Sequence, residues 1–318
     1  MSEEVQTTKT PLISLSDFTP DELACIGEIA FQYGQSPSSF AGVLDGMRVG
    51  LIFMAPSTRT RASFWTAART LGCDVLNLGP ADLQISTGET WLDTAAVLTH
   101  YLDSVVVRTN GPQRELREMA SKIPATINAL TYEEHPTQAF ADSCALREYF
   151  GTLEDLRVAY LGQANNTARA LALFVCKTPR MELDVYSPPG LGFEHDEISA
   201  LNKTSHRNAV HLFDHVPSNP DPVDVVYTTR WRSMGVAPED PDWISRFEPF
   251  AITENTMKKF SGSTEAMFMH DLPAVRNQEV SSDVLDGRIS LVHRQAFHKA
   301  SAAAAALLWA LRKGMVTR

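Results

Sequence analysis

The segment Ser57-Thr58-Arg59-Thr60-Arg61 packs three hydroxyls and two guanidinium groups into five residues. It follows an apolar run, RVGLIFM at 48–54, and opens a helix predicted over 57–71 that stops at Gly72. At a helix start, free backbone N–H groups and the positive end of the helix dipole meet those hydroxyls and form an anion site. Arg59 adds a planar fork matched to phosphate oxygens. A capped helix carrying surface arginines would use the same residue types. Polar groups recur after every other apolar run. Arg108 ends SVVVR at 104–108, and His135-Pro136-Thr137-Gln138 follows a candidate strand at 125–130. Gly162-Gln163-Ala164-Asn165-Asn166 follows RVAYL at 157–161. Thr229-Arg230-Trp231-Arg232-Ser233-Met234-Gly235 follows 223–228, and His270-Asp271-Leu272-Pro273 follows 266–269.

The elements that must position these groups are short apolar strands alternating with helices. That pattern predicts parallel sheets covered on both faces, in which ligands bind beyond the carboxyl ends of the strands. A chain of 318 residues, at about 100–200 residues per domain, reads as two domains. The expected fold is α/β, with two doubly wound parallel-sheet domains joined by bridging helices. We place the first domain at 1–141 and the second at 142–293, with a helix at 139–150 between them. The C-terminal helix, 294–318, is Ala-rich and apolar most of the way round, which predicts a buried helix packing back on the first domain. Thr19-Pro20-Asp21-Glu22 is a helix start with a capping box.

Composition excludes several function classes. With 28 Lys plus Arg against 38 Asp plus Glu, the net charge is −10, and no basic run offers a phosphate-backbone footprint for nucleic acid. No apolar stretch approaches the ~20 residues that span a bilayer, and the N-terminus shows no signal-peptide pattern. Cys25, Cys73, Cys144 and Cys176 are scattered and read as reduced thiols of a cytoplasmic protein. The turn after RVAYL holds only Gly162 of a dinucleotide fingerprint, and Gly-Lys-Ser/Thr of a Walker loop is absent. His206, His211 and His215 lack convincing metal-ligand spacing on a helix, so neither a metal nor a cofactor is expected.

Ser57-Thr58-Arg59-Thr60-Arg61 together with His135-Pro136-Thr137-Gln138 resembles the aspartate/ornithine carbamoyltransferase family. Gly88-Glu89-Thr90 with Asp93-Thr94-Ala95, Gly162 with Asn165-Asn166, Ser233-Met234-Gly235, and His270 with Leu272-Pro273 follow in family order. The resemblance implies that carbamoyl phosphate is attacked at its carbonyl carbon by a neutral amine and releases phosphate. It assigns Ser57, Thr58, Arg59 and Thr60 to the phosphate. Arg59, Arg108 and His135 go to the carbonyl oxygen, and Gln138 to the carbamoyl NH₂. Leu272 and Lys299 are expected beside carbamoyl phosphate, with Lys299 where relatives carry Arg. The family forms trimers with shared active sites. Gln84 is the candidate for the contact reaching into a neighbouring subunit, and Thr87 stands where aspartate enzymes carry Lys.

The acceptor signals are mixed. Ornithine enzymes resemble D-x-W-x-S-M-G; here Trp231, Ser233, Met234 and Gly235 match, but Thr229 replaces the Asp that meets the α-ammonium, and Asp271 replaces a Cys. Aspartate enzymes resemble T-R-x-Q; Thr229-Arg230 matches and Arg232 replaces the Gln, while Asn165-Asn166 replaces a second arginine. This hybrid, with Arg230, alone or with Arg232, as a carboxylate clamp and Asn165, Asn166 and Ser233 as amide or hydroxyl partners, suggests ureidoglycine as the leading acceptor, which would place the enzyme in purine catabolism. Ornithine, aspartate or a diamino acid, or a non-catalytic carbamoyl phosphate-binding relative, are the alternatives. Asp271 is expected to pair with Lys299 or an acceptor ammonium, because a bare carboxylate would repel the dianion.

Overall fold

Val105, Val106 and Val107 are fully buried in β3 (Ser104–Arg108), the central run of a four-stranded parallel sheet. A computed structural model describes residues 9–205, 207–231 and 243–311. The other strands of this sheet are β1 (Arg48–Phe53), β2 (Asp74–Leu78) and β4 (Thr126–Leu130), in the order β2-β1-β3-β4. The backbone at Leu12 borders β4, with Leu12 N donating to Thr126 O at 2.9 Å and Asn128 N to Leu12 O at 2.8 Å. A second parallel sheet holds β5 (Arg157–Leu161), β6 (Glu182–Tyr186), β7 (Val210–Phe213), β8 (Val225–Thr228) and β9 (Met267–His270). Its order is β7-β6-β5-β8-β9. Two parallel-sheet α/β domains are therefore present, as the strand and helix alternation predicts.

The helices are α1 (Pro20–Gln35), α2 (Arg59–Thr70), α3 (Trp91–Leu98), α4 (Gln113–Ala120), α5 (Pro136–Phe150) and α6 (Asn166–Lys177). They continue with α7 (His195–Ser205), α8 (Trp243–Phe247), α9 (Glu254–Phe260), α10 (Ser282–Leu285) and α11 (Val292–Leu311). The chain divides into residues 1–144 with 297–318, and residues 145–296, so both divisions fall inside helices, α5 and α11. Thr19 and Glu22 form the reciprocal capping box that starts α1. Proline opens α5 at Pro136, where its missing N–H costs nothing, so the helix begins before the expected 139. Within the first unit, Thr10 N donates to Ala310 O at 3.1 Å and Phe18 meets Trp309 edge-on at 5.7 Å. Ala302 through Ala306 are fully buried.

Each unit has its own core. Ile52, Trp91, Val105, Val107 and Leu116 anchor the first; Leu161, Tyr186, Phe250, Phe260 and Phe268 anchor the second. Strands β2 and β7 were not expected from the sequence. Both are edge strands whose partly exposed residues break the apolar run, as at Asn77 and His211. All four cysteines are free thiols. No helix among the described residues is long and apolar enough to cross a membrane.

The loop leaving β4 is tied down by a buried carboxylate. Glu134 accepts from Ser14 Oγ at 2.6 Å, Leu15 N at 2.8 Å and Gln113 Nε2 at 3.4 Å. Burial nevertheless dominates and raises its pKa to about 7. A folded pKa above the unfolded value of a carboxyl means that the folded state holds the extra proton, so stability falls as pH rises between the two values. Relative to Glu134→Gln, the wild type should lose up to ~3 kcal/mol of unfolding free energy from pH 5 to pH 8, measured by urea denaturation. A constant difference across that range would contradict the buried, protonated carboxyl.

Candidate active site

In the first sheet the chain leaves β1 toward one side and β3 toward the other, so the loops after these strands diverge and leave a crevice at their carboxyl ends. Phe53 pairs with Arg108 in register, which sets the loop after β1 beside the Arg108 side chain. Arg108 Nη1 donates to Ser57 Oγ at 3.2 Å and to Thr60 Oγ1 at 3.4 Å. Arg108 and Thr60 are buried. Thr58 occupies the cap position of α2 in a helical conformation, with no bond from its side chain to the helix backbone. Thr58 and Arg59 therefore stand at the positive end of the α2 dipole. Ser57, Thr58 and Arg61 line an open pocket with Ala62, Trp65 and Asn77, and the Arg61 guanidinium lies over the Phe53 ring at 5.0 Å.

β4 delivers the next two groups. His135 is 3% exposed and Gln138 fully buried on the first turn of α5. Gln138 is clamped from both sides: Nε2 donates to Asp142 Oδ1 at 2.7 Å, and Oε1 accepts from Lys299 Nζ. One N–H and one lone pair of the amide remain for a ligand. Asp142 was missed in the sequence; its signal was the one-turn spacing from Gln138 along α5. Burial, then the charges of Lys299 and Arg108, hold the His135 pKa well below its ordinary value. The imidazole is therefore neutral near pH 7, able to donate from one nitrogen and accept at the other. Its Nδ1 is buried without a hydrogen-bond partner among the described residues. Gln84 lies exposed on the turn Gln84–Thr87 and accepts from Thr87 Oγ1 at 3.1 Å.

The second sheet repeats the arrangement, with its switch between β5 and β8. Asn165 Oδ1 caps α6 by accepting from Thr167 N at 3.0 Å and Ala168 N at 3.1 Å. Its Nδ2 donates to Thr229 Oγ1 at 2.8 Å, and Tyr160 OH lies 2.9 Å from the same hydroxyl. Tyr160 OH also donates to Gln163 O at 2.8 Å. These bonds hold the loops after β5 and β8 together and occupy Asn165 and Thr229, both expected at the acceptor, with partners inside the protein. Asn166 and Arg230 are half-buried beside them. Trp231 is buried and stacks on Phe247 with centroids 5.3 Å apart. Arg232, Ser233 and Met234 lie outside the described residues, as does His206. Of the other two histidines weighed for a metal, His211 sits in β7 and His215 Nδ1 is 2.6 Å from Asp214 Oδ1.

At the end of β9, His270 is fully buried. Its Nδ1 accepts from Leu272 N at 2.8 Å, which leaves Nε2–H facing Glu279 Oε1 at 3.3 Å. That bond fixes the turn in which Leu272 takes a left-handed φ of 56°. Asp271 Oδ2 accepts from Thr167 Oγ1 at 2.9 Å. Tyr160, Thr167 and Glu279 are further site-building residues that sequence reasoning missed; Tyr160 and Thr167 act through partners distant in the chain, Thr229 and Asp271, and Glu279 acts through His270, nine residues away.

Comparisons with known proteins bear on both domains. Residues 11–148 match the model of the aspartate/ornithine carbamoyltransferase carbamoyl-P binding domain, and residues 154–311 match that of the Asp/Orn binding domain. An ornithine carbamoyltransferase of Caldicellulosiruptor saccharolyticus is 37% identical over 290 residues, covering 89% of this chain and 92% of its own. One from Symbiobacterium thermophilum is 38% identical over 296 residues, with the same coverage of 89% and 92%. Among solved structures, ornithine carbamoyltransferase from Pyrococcus furiosus superposes with a TM-score of 0.86 at 32% identity, covering 98% of this chain and 100% of its own.

The neutrality of His135 is open to direct test. In ¹⁵N-histidine NMR at pH 6, where an ordinary imidazole is mostly protonated, the His135 signals should remain those of a neutral ring. Imidazolium shifts for His135 at that pH would show that the burial and the two cations do not govern it.

Proposed function

The chain belongs to the aspartate/ornithine carbamoyltransferase family, and from that premise we propose that it transfers the carbamoyl group of carbamoyl phosphate to the side-chain amine of ornithine. Carbamoyl transfer is the family's shared chemistry. The neutral amine attacks the carbonyl carbon, the C–O bond to phosphate breaks, inorganic phosphate leaves and the nitrogen sheds a proton to solvent. The observation that carries the reading is the cluster of Arg108, bonded to Ser57 and Thr60, with neutral His135 and the doubly held Gln138. Ser57, Thr58, Arg59 and Thr60 take the phosphate oxygens. Arg59, Arg108 and His135 meet the carbonyl oxygen as it gains charge, and Gln138 takes the carbamoyl NH₂. A neutral His135 donates a hydrogen bond without competing for the amine's proton. Lys299 acts through Gln138, which it holds from Oε1.

For the acceptor, ornithine displaces ureidoglycine as the leading reading, because the relatives reported above are named for ornithine. The loop after β5 supports it over aspartate: Asn165 is a helix cap there, and no second guanidinium stands in that loop. The exposed Gln84 remains the residue proposed to reach a neighbouring subunit in a trimer.

The test is phosphate release from carbamoyl phosphate across ornithine, aspartate, ureidoglycine, 2,3-diaminopropionate, putrescine and N-acylornithines. Turnover should be strongest with ornithine, rising with pH as the bound amine loses its proton. Arg108→Lys should lower kcat by about 10²–10³. Turnover with ureidoglycine alone would overturn the ornithine reading, and tight carbamoyl phosphate binding without any turnover would overturn the catalytic one.

A further inference from the structure

Of the residues that directly follow the five strands of the second sheet, two are carboxylic acids, Asp214 after β7 and Asp271 after β9. Asp214 stands on the far edge strand, exposed, against His215 at 2.6 Å. Asp271 stands beside the switch point. Thr228 pairs with His270 in register, so Thr229 and Asp271 leave neighbouring strands side by side, with the strands about 4.8 Å apart. Thr229 is neutral, buried and already bonded to Tyr160 and Asn165. Asp271 is acidic and less deeply buried. Its side chain is 18% exposed, and no lysine or arginine pairs with it among the described residues. Oδ2 accepts from Thr167 Oγ1 at 2.9 Å. Oδ1 lies 3.5 Å from His270 Nδ1, but that nitrogen already accepts from Leu272 N and presents a lone pair, so no proton bridges the two. A mostly buried carboxylate facing an acceptor atom and lacking a cation is unfavourable until a cationic group meets it. The domain that holds it matches an Asp/Orn binding model, and both of those amino acids carry an α-ammonium group.

We propose that Asp271 is the counter-ion of the acceptor's α-ammonium group and so determines acceptor specificity, gripping from the end of β9 the charge that neutral Thr229 cannot meet from the end of β8. The inference rests on an amino-acid acceptor, as the proposed function requires. The carboxylate is not a general base here: it holds the non-reacting nitrogen, while Arg230 is the cation available for the acceptor carboxylate.

The test uses the full chain with saturating carbamoyl phosphate and two unreactive ligands, followed by calorimetry. Norvaline keeps the α-ammonium and carboxylate of ornithine but lacks the reacting amine; pentanoate keeps only the carboxylate. The wild type should bind norvaline about ten- to a hundredfold more tightly than pentanoate, as a charge-assisted hydrogen bond allows. Asp271→Asn should erase that preference while leaving the affinities for pentanoate and carbamoyl phosphate within about twofold. Asn still accepts from Thr167, so a merely structural role would leave the preference intact; Asp271→Glu, which keeps the charge, should retain part of it. An undiminished preference in Asp271→Asn, or none in the wild type, overturns the proposal. Steady-state kinetics separate the two readings. If an amino acid other than ornithine is the acceptor, the ornithine reading fails, and Asp271 is judged on that acceptor against its analogue lacking the α-amine. Equal losses on both would overturn Asp271's role, whereas a loss confined to the intact acceptor would sustain it.

Discussion

An imidazole kept neutral among cations sets the terms for the first domain. His135 is buried with the charges of Lys299 and Arg108 acting on it, and both disfavour a proton on the ring. Three groups that would repel one another if all were charged share one site, and the conflict is resolved by leaving one uncharged. The remaining positive field, with the hydroxyls of Ser57 and Thr60 bonded to Arg108, suits a small dianion. The geometry depends on supporting neighbours: Asp142 and Lys299 fix the Gln138 amide, and Glu134 ties the His135 loop to Ser14 and Leu15.

The two sheets solve one positioning problem with different chemistry. Each reverses strand order at its centre, between β1 and β3 or between β5 and β8, and each places its polar groups at that reversal. In the first, the groups are cationic or hydroxylic, with Arg108 bonded to Ser57 and Thr60. In the second, most polar groups at the reversal bind one another. Tyr160, Asn165 and Thr229 form a closed set that locks two loops. This lock leaves Arg230 on one strand exit and Asp271 on the next, a guanidinium and a carboxyl group on neighbouring strands. A rigid neutral platform beneath two charged groups is a way to hold a zwitterion in a defined orientation.

Much of this was legible in the chain. Apolar runs such as RVGLIF and SVVVR announce buried strands because both faces of a parallel sheet are covered. The capping box at Thr19 and the glycine at Gly72 mark helix ends through local backbone requirements. The hydroxyl and arginine cluster at 57–61 was visible because a helix start imposes its chemistry within a few residues. The edge strands β2 and β7 were not legible, since half-exposed strands lack a continuous apolar signature. Asn165 and Thr229 looked like acceptor residues because a polar side chain at a strand end carries no mark of whether its partner is a ligand or the protein.

The sequence by itself determined the alternation of strands and helices and the two parallel sheets, because these follow from periodicity and from contacts within one turn of chain. Only the tertiary structure decided which polar groups were already occupied. It paired Asn165 with Thr229, Gln138 with Lys299, and Thr167 with Asp271. The members of those pairs are separated by dozens of residues or more, and whether a hydroxyl or carboxylate remains open to a ligand depends on which distant side chain the sheet order brings beside it.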